Sequence, residues 1–221
     1  MSNKPLGRVL PHTDNSRLLV MFDTINSMPQ GPEHALVVLP GMGEDIRIRH
    51  AIARWQSSIN FKYLLVAGIN LKEKTARDLS LKSLSKKPFN LKKTKGVLTQ
   101  VKAANTLEQA VWIAEQVKEL QLDTLTITAP FYHLPRAYLT LMASCEKLRL
   151  QFPLIPEPTP MSRLSIVPEE KVLAVDMVPG EISRILKYQK SGDVASYELF
   201  LEYYKWLSNG QMLYDVNSVN K

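Results

Sequence analysis

The chain has 221 residues, of which 45% are hydrophobic and 22% are charged, a balance typical of one globular domain with a sizeable core. No apolar run reaches the roughly 18–20 residues that a membrane span needs, and the first residues lack the apolar stretch of a secretory signal. The single cysteine, Cys145, excludes an internal disulfide. Together these features predict a soluble protein of the reducing cytoplasm.

The net charge of +7 comes from one segment of the chain. Between Lys72 and Lys95 there are nine basic and two acidic residues, whereas the remainder has 19 of each sign. A local basic stretch can attract phosphate, nucleic acid or an anionic membrane, but it is also typical of a solvated, mobile insertion. We interpret residues 71–95 first as such an insertion, and nucleic-acid binding through it stays open as an alternative function.

Apolar periodicity and turn residues predict the secondary structure along the chain. The predicted elements are, in chain order, a helix over Ser16–Met28, a strand over Ala35–Pro40, a helix over Glu44–Ile59, a strand over Tyr63–Gly68, a weaker strand over Gly96–Val101, a helix over Asn105–Leu120, a strand over Thr124–Pro130, a helix over Pro135–Leu148, a weaker strand over Leu148–Ile155, a strand over Lys171–Met177 and a helix over Val194–Ser208. The stretch Phe152–Pro160 holds four prolines, which predicts a stiff, extended connection.

Short apolar strands that alternate with helices predict a parallel sheet covered on both faces, and the natural arrangement is a Rossmann-like, doubly wound α/β fold with a mostly parallel sheet. We predict a core over residues 35–180 that carries the basic insert 71–95. Residues 1–34 are an N-terminal extension packed on this core. Residues 181–221 form a C-terminal helical segment of the same domain.

Ligands of parallel α/β sheets bind outside the carboxyl ends of the strands, so the loops at those ends are the candidate site. The first strand is followed by "PGMGE", in which Gly41 and Gly43 permit close backbone approach and Glu44 leads into a helix. The next strand ends in "AGIN". Its Gly68 and Asn70 are candidate ligand contacts, although an ordinary turn explains each of them alone.

Two further loops add polar groups at helix starts, where anions bind well. Asn105 and Thr106 open one helix, and a plain N-cap explains only Asn105. The stretch "TAPFYHLPRA" supplies Tyr132, an aromatic group, and His133, which titrates near neutrality. Arg136 lies in the first turn of the following helix, where a cation opposes the helix dipole, so a role in binding phosphate or carboxylate is indicated. Asp176, at the end of the last predicted strand, is a weaker candidate.

Other chemistries lack their signatures. The four histidines and one cysteine show no metal-ligand spacing, so no metal site is predicted. No G-x-S-x-G elbow of an α/β-hydrolase is present. Cys145 falls in the middle of a predicted helix, which indicates a core position and not a nucleophile.

Four motifs in this order resemble the bacterial domain of unknown function 218 family, the YdcF- and SanA-like proteins. They are "LPGMGEDIRIRHAIARW", with Arg49 as the candidate for the family's helix arginine, then "VAGIN", "QVKAANT" and "TAPFYHLPRA". The resemblance covers about residues 35–180. In the positions of the family's Ser-Gly-Gly and Glu-x-x-Ser-x-Asn-Thr motifs this chain departs from the pattern, with Ile69 for the second glycine, Gln100 for the glutamate and Ala103 for the serine.

The resemblance implies a Rossmann-like fold with a polar pocket at the carboxyl ends of the strands, and it implies no settled reaction. Some members of the family are membrane-anchored and linked to the cell envelope. A nucleotide-like ligand such as S-adenosylmethionine has been suggested for soluble members, whose branch this chain resembles. A reaction that needs the family glutamate would be in doubt here.

The sequence therefore predicts a protein that binds a phosphorylated or nucleotide-like small molecule. His133 and Arg136 are the candidate catalytic residues, and a hydrolase or transferase acting by phosphoryl or glycosyl-phosphate chemistry is the reaction class. Nucleic-acid binding by residues 71–95 is one alternative function. The other is a non-catalytic interaction protein that docks a partner on its aromatic C-terminal helix. The oligomeric state is left open.

Overall fold

The centre of the fold is a five-stranded parallel sheet in a computed structural model that describes residues 14–209. Its strands are β1 (Ala35–Val38), β2 (Tyr63–Val66), β3 (Val97–Thr99), β4 (Leu125–Pro130) and β5 (Leu154–Thr159). They lie in the order β3-β2-β1-β4-β5, and every neighbouring pair is parallel. The chain starts in the middle, builds outward on one side and then reverses, so the predicted doubly wound, Rossmann-like α/β fold is confirmed.

The elements between and after these strands are helices and one small hairpin. Within residues 14–209 they are α1 (Asp14–Ser27), α2 (Asp45–Ser57), α3 (Leu81–Leu84), α4 (Thr106–Glu119), α5 (Leu134–Lys147), the hairpin strands β6 (Ile166–Val167) and β7 (Val172–Leu173), a 3-10 helix (Ala174–Met177), α6 (Val178–Gln189) and α7 (Tyr197–Asn209). The five predicted helices are confirmed, each within three residues at either end. The short helix α3 was not predicted, and α6 was covered only by the general prediction of a helical segment over residues 181–221. The predicted N-terminal and C-terminal segments extend into residues 1–13 and 210–221, which lie outside the described residues.

Alternate residues of each buried strand enter two separate cores. In β1, Ala35 and Val37 pack with α1, α4 and α5, whereas Leu36 and Val38 pack with α2. This alternation is the period of two that a strand imposes on its side chains. Both faces of the sheet are therefore covered, which explains why the central strands are apolar throughout.

The basic insert covers the second face of the sheet. Its Leu79, Leu84, Phe89 and Leu91 are buried in one apolar cluster together with Trp55 of α2. The interpretation of residues 71–95 as a solvated, mobile insertion is therefore wrong, because its apolar side chains complete a core while its lysines lie outside. Seven lysines of the segment are exposed: Lys72, Lys74, Lys82, Lys86, Lys87, Lys92 and Lys95.

The proline-rich stretch is itself the edge strand β5. The extended path predicted for Phe152–Pro160 is therefore confirmed, whereas its interpretation as a connection is wrong, and the strand predicted over Leu148–Ile155 is placed too early in the chain. Leu154, Pro156 and Pro158 are alternate residues of the strand, and the N–H of Leu154 points away from β4 to the Tyr203 hydroxyl, 2.7 Å away. Proline is tolerated at an edge because its missing N–H removes no bond to the sheet. The prolines thus fall on the side of the strand that has no neighbouring strand.

The predicted strand over Lys171–Met177 is also wrong. Only Val172 and Leu173 are extended, in the antiparallel hairpin, and a 3-10 helix follows. Ala174 and Met177 are the buried residues of that helix. Their spacing of three fits one face of a 3-10 turn and not a strand, in which alternate residues share a face.

The aromatic C-terminal helix α7 belongs to the first core. Phe200 and Leu207 are buried, and the Tyr203 hydroxyl donates to the Phe152 carbonyl at 2.8 Å. These contacts favour the packing interpretation of this helix over the docking interpretation. None of the helices in residues 14–209 is long and apolar enough to cross a membrane.

Candidate functional site

A cavity of about 250 Å³ lies at the carboxyl edge of the sheet. It is bounded by the loops after β1, β2 and β4 and by the first turns of α4 and α5. Seven of the predicted site residues line it: Gly41, Asn70, Asn105, Thr106, Tyr132, His133 and Arg136. The edge that the topology predicts for a ligand thus collects most of the polar loop residues.

The other predicted site residues lie elsewhere. Gly43, Glu44 and Arg49 line a shallow depression between α2 and the hairpin, and Arg49 is exposed. Asp176 is also exposed and does not line the cavity. The arginine of α2 that lines the cavity is Arg47 and not Arg49.

Gly68 has a structural role. A Cβ at this position would lie 2.4 Å from the backbone carbon of Lys102, so no side chain fits between the two segments. The N–H of Gly68 donates to Oε1 of Gln100 at 3.0 Å, and its carbonyl accepts from Nε2 of Gln109 at 2.5 Å. Gln100, at the position of the family glutamate, therefore supports the loop after β2 and does not line the cavity.

Gln109 holds two strand ends together. Its Nε2 also donates to the carbonyl of Pro40 at 3.1 Å, so one buried amide of α4 ties the ends of β1 and β2. This side chain was not singled out from the sequence, where it looks like an ordinary helix glutamine. The two bonds fix the walls of the cavity.

The glycine turn after β1 holds a carboxylate of the chain itself. Gly41, Met42 and Gly43 all have positive φ (154°, 58° and 72°), and the Met42 N–H donates to Oε2 of Glu73 at 2.8 Å. At the start of α2, Asp45 pairs with Arg77 at 2.7 Å. The Met42 N–H, a donor of the anion site predicted at this turn, is thus already bonded to a carboxylate of the protein itself.

Arg47, Glu44 and Tyr132 form a buried cluster behind the turn. Arg47 Nε donates to Glu44 Oε2 at 2.6 Å, and Arg47 Nη2 donates to the Tyr132 hydroxyl at 2.9 Å. That hydroxyl donates in turn to Glu44 Oε2 at 2.9 Å, and Arg47 Nη1 donates to the Leu39 carbonyl at 3.1 Å. Each of the three charged or polar side chains is thereby fixed by the other two.

Burial and charge set the protonation of this cluster. Burial alone would lower the pKa of Arg47, but Tyr132 and Glu44 outweigh burial and raise it. Burial, against the opposing charge of Arg47, raises the pKa of Tyr132 above its usual range. Arg47 is therefore a cation and Tyr132 a neutral phenol throughout the physiological pH range.

His133, Arg136, Glu181 and Arg184 form a second cluster in the cavity wall. Arg136 Nε donates to Glu181 Oε2, and Arg136 Nη2 donates to Glu181 Oε1 at 3.3 Å, a forked pairing. Arg184 Nη1 donates to the same Oε1 at 2.9 Å. Glu181 had no sequence signal beyond an arginine three residues later, because α6 was not predicted as a separate helix.

His133 is a neutral side chain in this cluster. Burial and then the charge of Arg136 lower the pKa of His133 to about 4, although Glu181 opposes this shift. Its Nδ1 lies 3.2 Å from Arg136 Nη2, which can only donate, and 3.4 Å from Glu181 Oε2, which can only accept, so the contacts of Nδ1 fit either neutral tautomer. Among residues 14–209 Nε2 has no hydrogen-bond partner, which leaves this nitrogen available to a ligand, as a donor or as an acceptor according to the tautomer.

Glu181 is a carboxylate. Burial alone would raise its pKa, but hydrogen bonds and charge interactions with His133 and Arg136 hold the pKa well below its usual range. Because His133 is neutral, we attribute the lowering to the arginines that face this carboxylate. Two arginines and one carboxylate leave this part of the wall with a net positive charge.

The start of α4 adds uncommitted donors. Asn105 caps the helix, since its Oδ1 accepts from the Glu108 N–H at 3.0 Å. The side chain of Glu108 in turn accepts from the Ala104 N–H at 2.7 Å. The N–H groups of Thr106 and Leu107 have no partner among the described residues, and neither has the Thr106 hydroxyl. Thr106 is only 8% exposed and lines the cavity.

A smaller cavity of about 150 Å³ adjoins the first at this point. Asn105, Thr106, Arg136 and Tyr188 line both cavities. The donors of α4 and α5 therefore lie where the two spaces meet. Around these spaces, and elsewhere in residues 14–209, no group of three or more histidine, cysteine or acidic side chains could hold a metal ion.

A larger cavity, of about 340 Å³, lies at the amino-terminal edge between α5, the start of β5 and α7. Cys145 lines it, is buried as predicted, and has its pKa raised by burial to about 12. The thiol is therefore protonated and unreactive at neutral pH. The carboxyl-edge cavity is the better candidate site, because it combines uncommitted donors with His133, Glu73 and Glu181, whose pKa values are shifted.

Comparison of the chain with protein-family models, with curated proteins and with solved structures finds no significant match. The resemblance to the domain of unknown function 218 family is carried by the four quoted motifs and stays a prediction.

Proposed function

We propose that this protein binds a small molecule with a phosphate-like group at the carboxyl edge of its sheet. The observation that carries the proposal is the set of uncommitted donors around Thr106. They are the Thr106 hydroxyl, the N–H groups of Thr106 and Leu107, and Nη1 of Arg136, none of which has a partner among the described residues. Backbone N–H groups at a helix start, joined by arginine, are a common way to bind phosphate.

The charge of the wall supports an anion at this point. Arg136 and Arg184 share the single carboxylate of Glu181, so this side of the wall has one positive charge in excess. The other two carboxylates of the lining, Glu73 and Glu170, belong to the loop after β2 and to the hairpin. The dipole of α4 adds a partial positive charge at its first turn. A buried anionic group is thus matched by charge as well as by hydrogen bonds.

His133 contributes as a hydrogen-bond donor in this proposal. A neutral imidazole with its proton on Nε2 can donate to a ligand oxygen, whereas a pKa of about 4 leaves too little imidazolium at neutral pH for a general acid. His133 would thus polarise a phosphoryl or carbonyl oxygen of the ligand. Phosphoryl or glycosyl-phosphate chemistry remains the reaction class that such a site serves best.

The size of the site favours a phosphorylated sugar or a nucleotide over inorganic phosphate alone. The two adjoining cavities of about 250 and 150 Å³ leave room on both sides of the anion position. The side chain of Tyr188 lines both spaces, so a planar group of the ligand could stack there.

Thr106→Val is expected to weaken binding of inorganic phosphate and of adenosine 5′-monophosphate by about tenfold, measured by isothermal titration calorimetry. The substitution keeps the shape of the side chain and removes a hydroxyl that has no partner among the described residues. Arg136→Gln is expected to weaken the binding of both probes further than Thr106→Val does, because it also removes a charge.

Two control variants make this test specific. Arg49→Gln removes the arginine that the sequence favoured, and Lys86→Gln/Lys87→Gln removes two exposed lysines of the insert. Both are expected to bind the two probes as the wild type does. Wild-type affinity in Thr106→Val and Arg136→Gln would contradict the proposal. A loss confined to the lysine variant would favour the alternative, a polyanion-binding surface formed by the exposed lysines.

A further inference from the structure

The basic insert carries one acidic residue into the cavity. Glu73 lies in the loop after β2 and lines the same cavity as Thr106 and Arg136. Its Oε2 accepts the Met42 N–H at 2.8 Å, and this bond fixes the carboxylate beside the glycine turn. The turn presents that N–H through the left-handed conformation of Met42, with a φ of 58°.

The second oxygen of Glu73 is uncommitted. Oε1 has no hydrogen-bond partner among the described residues, and a Cβ at position 41 would lie 3.6 Å from it. That distance is an ordinary van der Waals contact, so the neighbouring turn neither crowds this oxygen nor bonds to it. The nearest arginine, Arg47, is engaged by Glu44, Tyr132 and the Leu39 carbonyl and makes no ion pair with Glu73.

The surroundings of Glu73 disfavour a bare carboxylate. Burial, and then the nearby charge of Glu169, raise the pKa of Glu73, while the Met42 N–H and Arg47 lower it in part. Glu169 itself is occupied, since it accepts from the N–H groups of Lys74 and Thr75 and from the Thr75 hydroxyl. A half-buried carboxylate with one unpaired oxygen is stabilised by a hydrogen-bond donor, and a ligand in the cavity can supply it.

We propose that Glu73 binds a hydroxyl or amino group of the same ligand whose phosphate lies at Thr106 and Arg136. This inference rests on the proposed function and narrows its ligand class. The ligand carries a phosphate and, in addition, a hydrogen-bond donor that reaches the loops after β1 and β2. Phosphorylated sugars, nucleotides and phosphorylated amines share that chemistry.

Glu73→Gln separates ligand binding from loop structure. The glutamine carboxamide oxygen can still accept the Met42 N–H, so the turn is kept, whereas the charge and the free acceptor oxygen are lost. The probes are inorganic phosphate, ribose 5-phosphate and phosphoethanolamine, titrated calorimetrically into wild type and variant. We expect about tenfold weaker binding of ribose 5-phosphate, of phosphoethanolamine or of both, and inorganic phosphate within about twofold of wild type.

The matched control is Glu169→Gln, which alters the neighbouring carboxylate that holds the same loop. It is expected to change the three affinities by the same factor, if at all. The inference would be overturned if Glu73→Gln changed the affinity for all three probes equally or for none of them. It would also be overturned if Glu169→Gln showed the same selective loss. Each of these outcomes would leave the proposed function standing. Failure of the wild type to bind any of the three probes would overturn both.

Discussion

Replacing Arg47 with methionine is expected to lower the free energy of unfolding by about 3–5 kcal/mol, because it leaves the carboxylate of Glu44 buried without its cation. Arg47 is 2% exposed and donates to Glu44, to Tyr132 and to the Leu39 carbonyl. Arg49→Met is the matched control on the same helix. Since Arg49 is exposed, its replacement is expected to change the free energy by no more than about 0.5 kcal/mol.

Urea denaturation followed by circular dichroism measures both variants. A second substitution, Glu44→Gln in the Arg47→Met background, is expected to recover a large part of the loss because it removes the unpaired charge. Equal, small effects of Arg47→Met and Arg49→Met would contradict the buried cluster that the structure places behind the glycine turn.

Lowering the pH from about 7.5 to about 5 is expected to cost about 2 kcal/mol of stability through His133 alone. The folded pKa of about 4 lies below the unfolded value of about 6.5, so protonation favours the unfolded chain. The contribution of His133 is therefore complete above about pH 6.5 and is lost as the pH falls toward the folded pKa. Glu181 affects stability at lower pH. Because its pKa is depressed in the folded state, the stability that it contributes is lost only below the unfolded value of about 4.3.

The control for this pH dependence is His133→Asn, which has a polar side chain that does not titrate. Urea denaturation at the two pH values is expected to show a fall in stability about 2 kcal/mol larger for the wild type than for the variant. The same pH dependence in both proteins would contradict the buried, neutral state of His133.

The sequence was sufficient for the fold class and for most strands, because buried parallel strands are short apolar runs between helices. The sequence-based prediction failed for two stretches, the strand β5 and the run over Lys171–Met177. The strand β5 was misplaced because prolines normally interrupt a strand. They are tolerated at the edge of a sheet, and the sequence does not show which strand lies at the edge. The run over Lys171–Met177 is apolar but too exposed for a buried strand, and burial is not visible in the sequence.

The candidate site was predicted where position follows from topology. Gly41, Asn70, Thr106, His133 and Arg136 all lie at strand ends or helix starts that the fold brings to one edge. Sequence motifs can therefore identify the loops at this edge, but they do not show which residues of other elements complete the cavity.

The residues that complete the site were missed for a different reason. Arg47 and Arg49 are two residues apart, so they point to different faces of α2, and the motif could not choose between them. The apolar stripe of Ile48, Ile52 and Trp55 could not either, because the two arginines lie roughly 100° around the helix from Ile48, on opposite sides of the stripe. Glu73 and Glu181 reach the cavity only through tertiary packing and carried no local signal.

The most direct test of the proposed function is a titration of isotope-labelled protein with inorganic phosphate, in which nuclear magnetic resonance monitors the chemical shifts of the backbone amides. Uncommitted N–H groups respond strongly when an anion binds them. We expect saturable shifts at Thr106 and Leu107 that are weakened in Thr106→Val. Shifts confined to the lysine-rich residues 82–95, with Thr106 and Leu107 unchanged, would contradict it.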